Sequence, residues 1–234
     1  MASVQWVENE FEKHRNLDNA LHMAKYMRNQ FDFYGIKTPE RRSIYKDIIR
    51  EAKKAESIDW QLLNECWNND YREFQYFVCD YLKALQKFLV FDDIDKIRPF
   101  IETKQWWDTI DSLDTVIGNI NDSRVNDLML KWSVSDDIWF RRIAINHQRG
   151  RKDKIDTVLL EKILINNLNN NEFFINKSIG WALRDYSKTN TDWVKDFITK
   201  HKSGLSTLSI REASKYLKWM IKKLIQLEKY NWKI

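Results

Sequence analysis

Two short stretches place indole, carboxylate and cationic side chains at helical spacing. In QWWDTID, Trp107 and Asp111 are four residues apart, so on a helix they share one face, with Asp108 on another side. In INKSIGWALRDY, Lys177, Trp181 and Arg184 fall at i, i+4 and i+7, again one stripe. Arg141 and Arg142 follow in WFRRIAI, where Ile138, Phe140 and Ile143 supply an apolar face. A cleft lined by these residues would be aromatic, acidic at one point and basic around it. Each also has a plainer use: tryptophans pack between helices, a lone aspartate pairs with an arginine, and an Arg pair is a solvated face.

Other chemistries find no support. The chain has no P-loop, dinucleotide fingerprint or GxSxG turn. Its four histidines (His14, His22, His147 and His201) have no metal-ligand spacing, and no metal or cofactor is expected. Cys66 and Cys79 belong to no CxxC or Cys/His cluster and read as buried thiols.

The elements that carry these residues must be helices. Among 234 residues there are only 5 Gly and 2 Pro, too few for the turns of a sheet protein. A helix opening on an aromatic or large apolar residue recurs at Phe74, Trp107, Phe140, Phe174 and Ile210, at intervals of 33 to 36 residues. In EFQYFVCDYLKAL the apolar positions Phe74, Phe77, Val78, Tyr81, Leu82 and Leu85 make one amphipathic stripe. Polar segments ending before Tyr71, Ile138, Phe173 and Thr207 supply turn and N-cap chemistry. The expectation is an all-α superhelical solenoid of about six HEAT-like helix pairs, one domain over residues 1–234, with one helix of each pair lining a concave basic surface. The segment KWMIKKLIQLEKYNWKI reads as a basic amphipathic capping helix.

The net charge of +5 permits a polyanionic partner without requiring one. MASVQWVENEFEKHRN has no apolar signal core, and no apolar run is long enough to span a membrane. A cytoplasmic monomer is expected. From the residues alone, a DNA-binding repeat protein and a protein–protein scaffold are equally supported.

At these motifs the sequence resembles the HEAT-like-repeat alkylpurine DNA glycosylases, the AlkC/AlkD family of DNA alkylation repair enzymes. The likeness runs from YMRNQFDFYGIKTPERR through WNNDYREFQYFVCDYL, WWDTIDSLDTVIG, SDDIWFRRIAINHQ and FFINKSIGWALRDYSK to LSTLSIREASKYL. WWDTID and KxIGWALRDY are specific in combination. Lys37 departs from the family pattern, standing where Gln is expected in GIxTPERR.

The resemblance implies a monofunctional glycosylase that releases N3-methyladenine and N7-methylguanine from duplex DNA, without a cofactor and without flipping the base into a tight pocket. It places the catalytic carboxylate on Asp111 and the active-site indoles on Trp107 and Trp181. It places a family arginine on Arg142 and an aromatic near the lesion strand on Tyr26. Arg142, Arg184, Lys37, Arg41, Arg42, Lys177, Lys188, Arg211 and Lys215 are then candidates to contact phosphates. A non-catalytic DNA-structure binder and a scaffold remain the competing readings.

Overall fold

Helix propensity, amphipathic spacing and capping resolve into fourteen α-helices among residues 3–217, which the computed structural model describes. They are α1 (Val4–Lys13), α2 (Leu17–Tyr26), α3 (Thr38–Ile44), α4 (Lys46–Ala55), α5 (Trp60–Asn68), α6 (Arg72–Ala84) and α7 (Ile94–Glu102). Then follow α8 (Trp107–Gly118), α9 (Arg124–Trp132), α10 (Ile138–Asn146), α11 (Thr157–Ile165), α12 (Phe173–Tyr186), α13 (Thr191–Lys200) and α14 (Thr207–Ala213). From Trp60 onward the helices alternate as five pairs, and each expected opening lies within the first four residues of a second helix. The capping helix read at Lys218–Ile234 falls outside the described residues.

The turn chemistry divides into two kinds. Asp137 and Ser206 cap α10 and α14, accepting from Trp139 N and Ser209 N at 2.8 and 3.0 Å. Before α6 and α12 the asparagines act earlier instead. Asn69 Oδ1 accepts from Tyr71 N at 3.1 Å and Asn170 Oδ1 from Glu172 N at 2.7 Å, bending the chain ahead of helices that begin without a side-chain cap.

The chain divides into two compact units between Val116 and Ile117. In the first, the stripe of α6 is buried throughout, from Phe74 to Leu85. Phe11 of α1 meets Phe74 edge-on at 5.1 Å, and Tyr45 meets Phe77 at 4.9 Å. Cys66 and Cys79 are buried free thiols, and burial pushes Cys66 up to about 12. Glu73, beside this stripe, accepts from the backbone N–H groups of Tyr34, Gly35 and Ile36 at 3.1, 2.9 and 3.1 Å. Those bonds lock the loop that leads into α3; Gly35 sits there at φ +88°, where a Cβ would strike the backbone of Asn16.

In the second unit, α10, α12 and α14 are linked by buried polar bonds between equivalent positions. Asn146 Nδ2 donates to Ser178 Oγ at 2.9 Å, and Ser209 Oγ donates to Asn176 O at 2.8 Å. Gly118, which closes the WWDTIDSLDTVIG motif, has a packing reason: a Cβ there would run into His147 O.

His147 itself is buried, with its Nδ1 hydrogen bonded to Ala144 O at 2.6 Å. Burial holds its imidazole down at about 4, against an ordinary 6.5. The ring stays neutral in the native protein while the unfolded chain takes up a proton below 6.5. Stability therefore falls as pH drops from 6.5 to about 4, by at most about 1.4 kcal/mol per pH unit. His147→Gln is expected to remove this component. Urea midpoints measured above pH 6.5 and between 4 and 6.5 check it, and an equal pH slope in both proteins would contradict it.

Candidate functional site

The first unit brings Tyr26 and Trp107 together. Tyr26 ends α2 and is 71% exposed; its ring meets the Trp107 indole edge-on, with centroids 5.9 Å apart and planes at 80°. Trp107 is the first residue of α8, and Asp111 lies one turn along; both are half-buried. What fixes this turn is Asp108. Its carboxylate accepts from Arg72 Nε and Nη2 at 3.1 and 2.6 Å and from the Tyr76 hydroxyl at 2.7 Å. Arg72 is wholly buried, donates also to Lys104 O and Thr109 Oγ1, and lies 3.7 Å from the centroid of the Phe31 ring. Asp108 is thus committed to structure, and the neighbouring Trp107 and Asp111 inherit its rigidity.

A cleft of about 470 Å³ opens beside these residues, lined among others by Tyr26, Lys37, Arg42, Tyr76, Asp80 and Asp108. Asp80 accepts from Arg42 Nε and Nη2, from the Tyr45 hydroxyl at 2.5 Å and from Arg41 at 3.4 Å. Burial pushes the Asp80 carboxyl up, but the hydrogen bonds from Arg42 and Tyr45 outweigh it and hold it below its usual range. Lys37 and Arg42 are exposed. Arg41 is buried and stands 4.6 Å from the Tyr76 ring centroid, so its charge is turned inward rather than offered to solvent.

In the second unit, cations surround Trp181. Arg142, Lys177 and Arg184 approach its ring to 5.6, 5.8 and 5.5 Å, the last two as the i, i+4, i+7 stripe on α12 requires. The indole is half-buried. Arg142, read from sequence among the phosphate contacts, is only 1% exposed and donates to Phe174 O at 2.7 Å. It lies beside Trp181 because α10 packs that face against α12. Arg141 is half-buried and donates to Asn167 Oδ1 at 2.8 Å. Lys188, Arg211 and Lys215 are exposed, and Lys188 pairs with Asp185 at 3.3 Å.

Sequence reading missed Arg72, Tyr76, Asp80 and Glu212, a buried acceptor for Lys177 and Arg184. One signal was present: Arg72 and Asp108, like Lys177 and Glu212, are separated by one repeat length. Among the described residues no group of His, Cys, Asp and Glu is arranged to hold a metal, and no helix is long and apolar enough to cross a membrane.

The sequence matches the model of the DNA alkylation repair enzyme family over residues 7–217. Among solved structures, the chain is similar to one described as a predicted DNA alkylation repair enzyme from Enterococcus faecalis. The two are 31% identical with a TM-score of 0.79, over 87% of this chain and 96% of that one. A comparison with curated proteins finds no match.

The structural role of Asp108 should show directly in stability. Asp108→Ala strands the buried Arg72 guanidinium, and losing one partner of such a pair costs about 3–5 kcal/mol. Chemical denaturation is expected to show that loss. A drop of less than about 1 kcal/mol, the level of a surface ion pair, would mean that Asp108 does not anchor α8.

Proposed function

The chain belongs to the DNA alkylation repair enzyme family, and from that premise we propose that it is a monofunctional DNA glycosylase releasing cationic alkylated purines from duplex DNA. N3-methyladenine and N7-methylguanine are the proposed lesions, and the protein is read as a cytoplasmic monomer. The observation that carries the reading is the start of α8. There Trp107 meets the exposed Tyr26 ring, with Asp111 one turn away on the same helix.

Alkylation at N3 or N7 gives the purine a positive charge, so it departs as a neutral base without a general acid. The C1′–N bond breaks with its electron pair going to the purine, and the deoxyribose develops oxocarbenium character. The Asp111 carboxylate stabilises that cation and holds the water that adds at C1′ and then loses a proton. The indoles of Trp107 and Trp181 offer π-faces worth about 0.5–2 kcal/mol each to a neighbouring cation. Their attraction grows as charge moves onto the sugar, so it favours the transition state over the ground state. A Schiff-base route through Lys177 has no support: its ammonium is paired with Glu212 at 2.8 Å and is a poor nucleophile while charged.

Holding the duplex falls to the exposed and half-buried cations Lys37, Arg42, Lys177, Arg184, Lys188, Arg211 and Lys215. Each phosphate they neutralise steepens the salt dependence of binding by about 0.9 in log–log slope. Arg41 and Arg142 are buried and are not offered to a phosphate. Phosphate contacts carry no sequence information, which suits an enzyme acting wherever damage occurs.

Asp111→Asn keeps size and removes charge. Release of free N7-methylguanine, followed by chromatography, is expected to slow by about 100-fold or more, the loss of roughly 3 kcal/mol of electrostatic stabilisation. Affinity for the damaged duplex should stay the same or rise. Excision at the wild-type rate would remove Asp111 from the mechanism. Arg142→Ala, by loosening Trp181, should lower the rate as well; an unaltered rate would leave that arginine a packing role alone.

A further inference from the structure

Gly180 precedes Trp181 for a reason found on another helix. A Cβ at Gly180 would lie 2.5 Å from Glu212 Cβ and 3.0 Å from Ser209 O, so a glycine is what lets α14 come this close to α12. The approach delivers a carboxylate to a place it would not otherwise occupy. Glu212 is 2% exposed and accepts from Lys177 Nζ at 2.8 Å, Arg184 Nη1 at 3.1 Å and Lys215 Nζ at 2.6 Å. Burial pushes its carboxyl up, but the bonds from Lys177 and Lys215 prevail and hold it down at about 2, ionised at neutral pH.

Lys177 and Arg184 are also two of the cations beside Trp181. Left alone, such long side chains would sample many rotamers. Tied to one anchor, they are held within 5.8 Å of the centre of the indole ring. One carboxylate facing three cations leaves two positive charges in surplus, and each cation keeps N–H donors unused by Glu212. A fixed cluster of that kind suits a singly charged, multi-acceptor anion.

We infer that Glu212 is a positioning residue whose carboxylate gathers Lys177, Arg184 and Lys215 into a fixed receptor for one DNA phosphodiester beside Trp181. The inference rests on the DNA-glycosylase reading above. Glu212 acts through its partners, not on the reacting atoms. Its removal should separate rate from affinity, because the protein gains a net positive charge while the cations lose their common anchor.

The test uses the full chain, an N7-methylguanine duplex and an undamaged duplex. Glu212→Gln is expected to slow base release on the order of 10–100-fold, the cost of misplacing groups by about an ångström. Affinity for undamaged duplex should be unchanged or tighter, and Glu212→Asp should recover part of the rate. A wild-type rate in a folded Glu212→Gln protein, or a parallel loss of rate and affinity, would overturn the inference. Lys215→Met tests the receptor should the glutamine variant fail to fold. It retains the anchor and should make the salt slope on undamaged duplex shallower by about 0.9, one phosphate contact. An unchanged slope would overturn the receptor. This arm needs no catalysis: a shallower slope in a protein that releases no base would refute the glycosylase reading and leave the receptor standing.

Discussion

A buried polar bond between equivalent positions of consecutive helix pairs is the interaction on which the rest of each unit depends. In the first unit it is the Arg72–Asp108 pair, 36 residues apart, its guanidinium wholly out of water and its carboxylate nearly so. In the second it is Asn146 to Ser178, Ser209 to Asn176 and Lys177 to Glu212, at 32, 33 and 35 residues. Apolar stripes tolerate sliding, because one Leu or Ile contact resembles the next. A buried ion pair or amide bond does not, since any shift leaves a desolvated donor or acceptor unmet. These bonds therefore set the register of the second helices, and the register sets where Trp107 and Trp181 stand.

Charge is handled differently on the two tryptophan-bearing helices. Beside Trp107 the nearest carboxylate in sequence, Asp108, is saturated by Arg72 and Tyr76. Around Trp181 the acid is Glu212, from α14, outnumbered by cations. The first arrangement gives rigidity to a helix start. The second gives a fixed positive environment to an indole.

Much of this was legible in the sequence, for identifiable reasons. The 33–36-residue recurrence located all five second helices because aromatic openings and stripes are local signals. The i, i+4, i+7 spacing of Lys177, Trp181 and Arg184 predicted their grouping because helix geometry alone decides it. Arg41 and Arg142 illustrate the limit: the sequence cannot say which neighbour covers a residue, and each lies under a packed helix rather than at the surface. Gly118 and Gly180 looked like motif residues and proved to be points of close backbone approach. Glu212, some thirty residues beyond Trp181, becomes visible only once α14 is seated on α12. Of the turn and N-cap chemistry expected before the second helices, the asparagines ahead of α6 and α12 supply turns, because an Asx bond to a residue two along competes with capping.

In the proposed reaction the protein stabilises a cationic sugar and leaves the departure of the base to the charge the lesion already carries. The most direct measurement compares single-turnover release of N7-methylguanine with release of a neutral damaged purine, such as hypoxanthine, placed in the same duplex. The cationic base is expected to be freed and the neutral one retained, because a neutral purine leaves only with a proton that the proposed reaction does not supply. Release of both at similar rates would require a general acid and would overturn the proposed reaction.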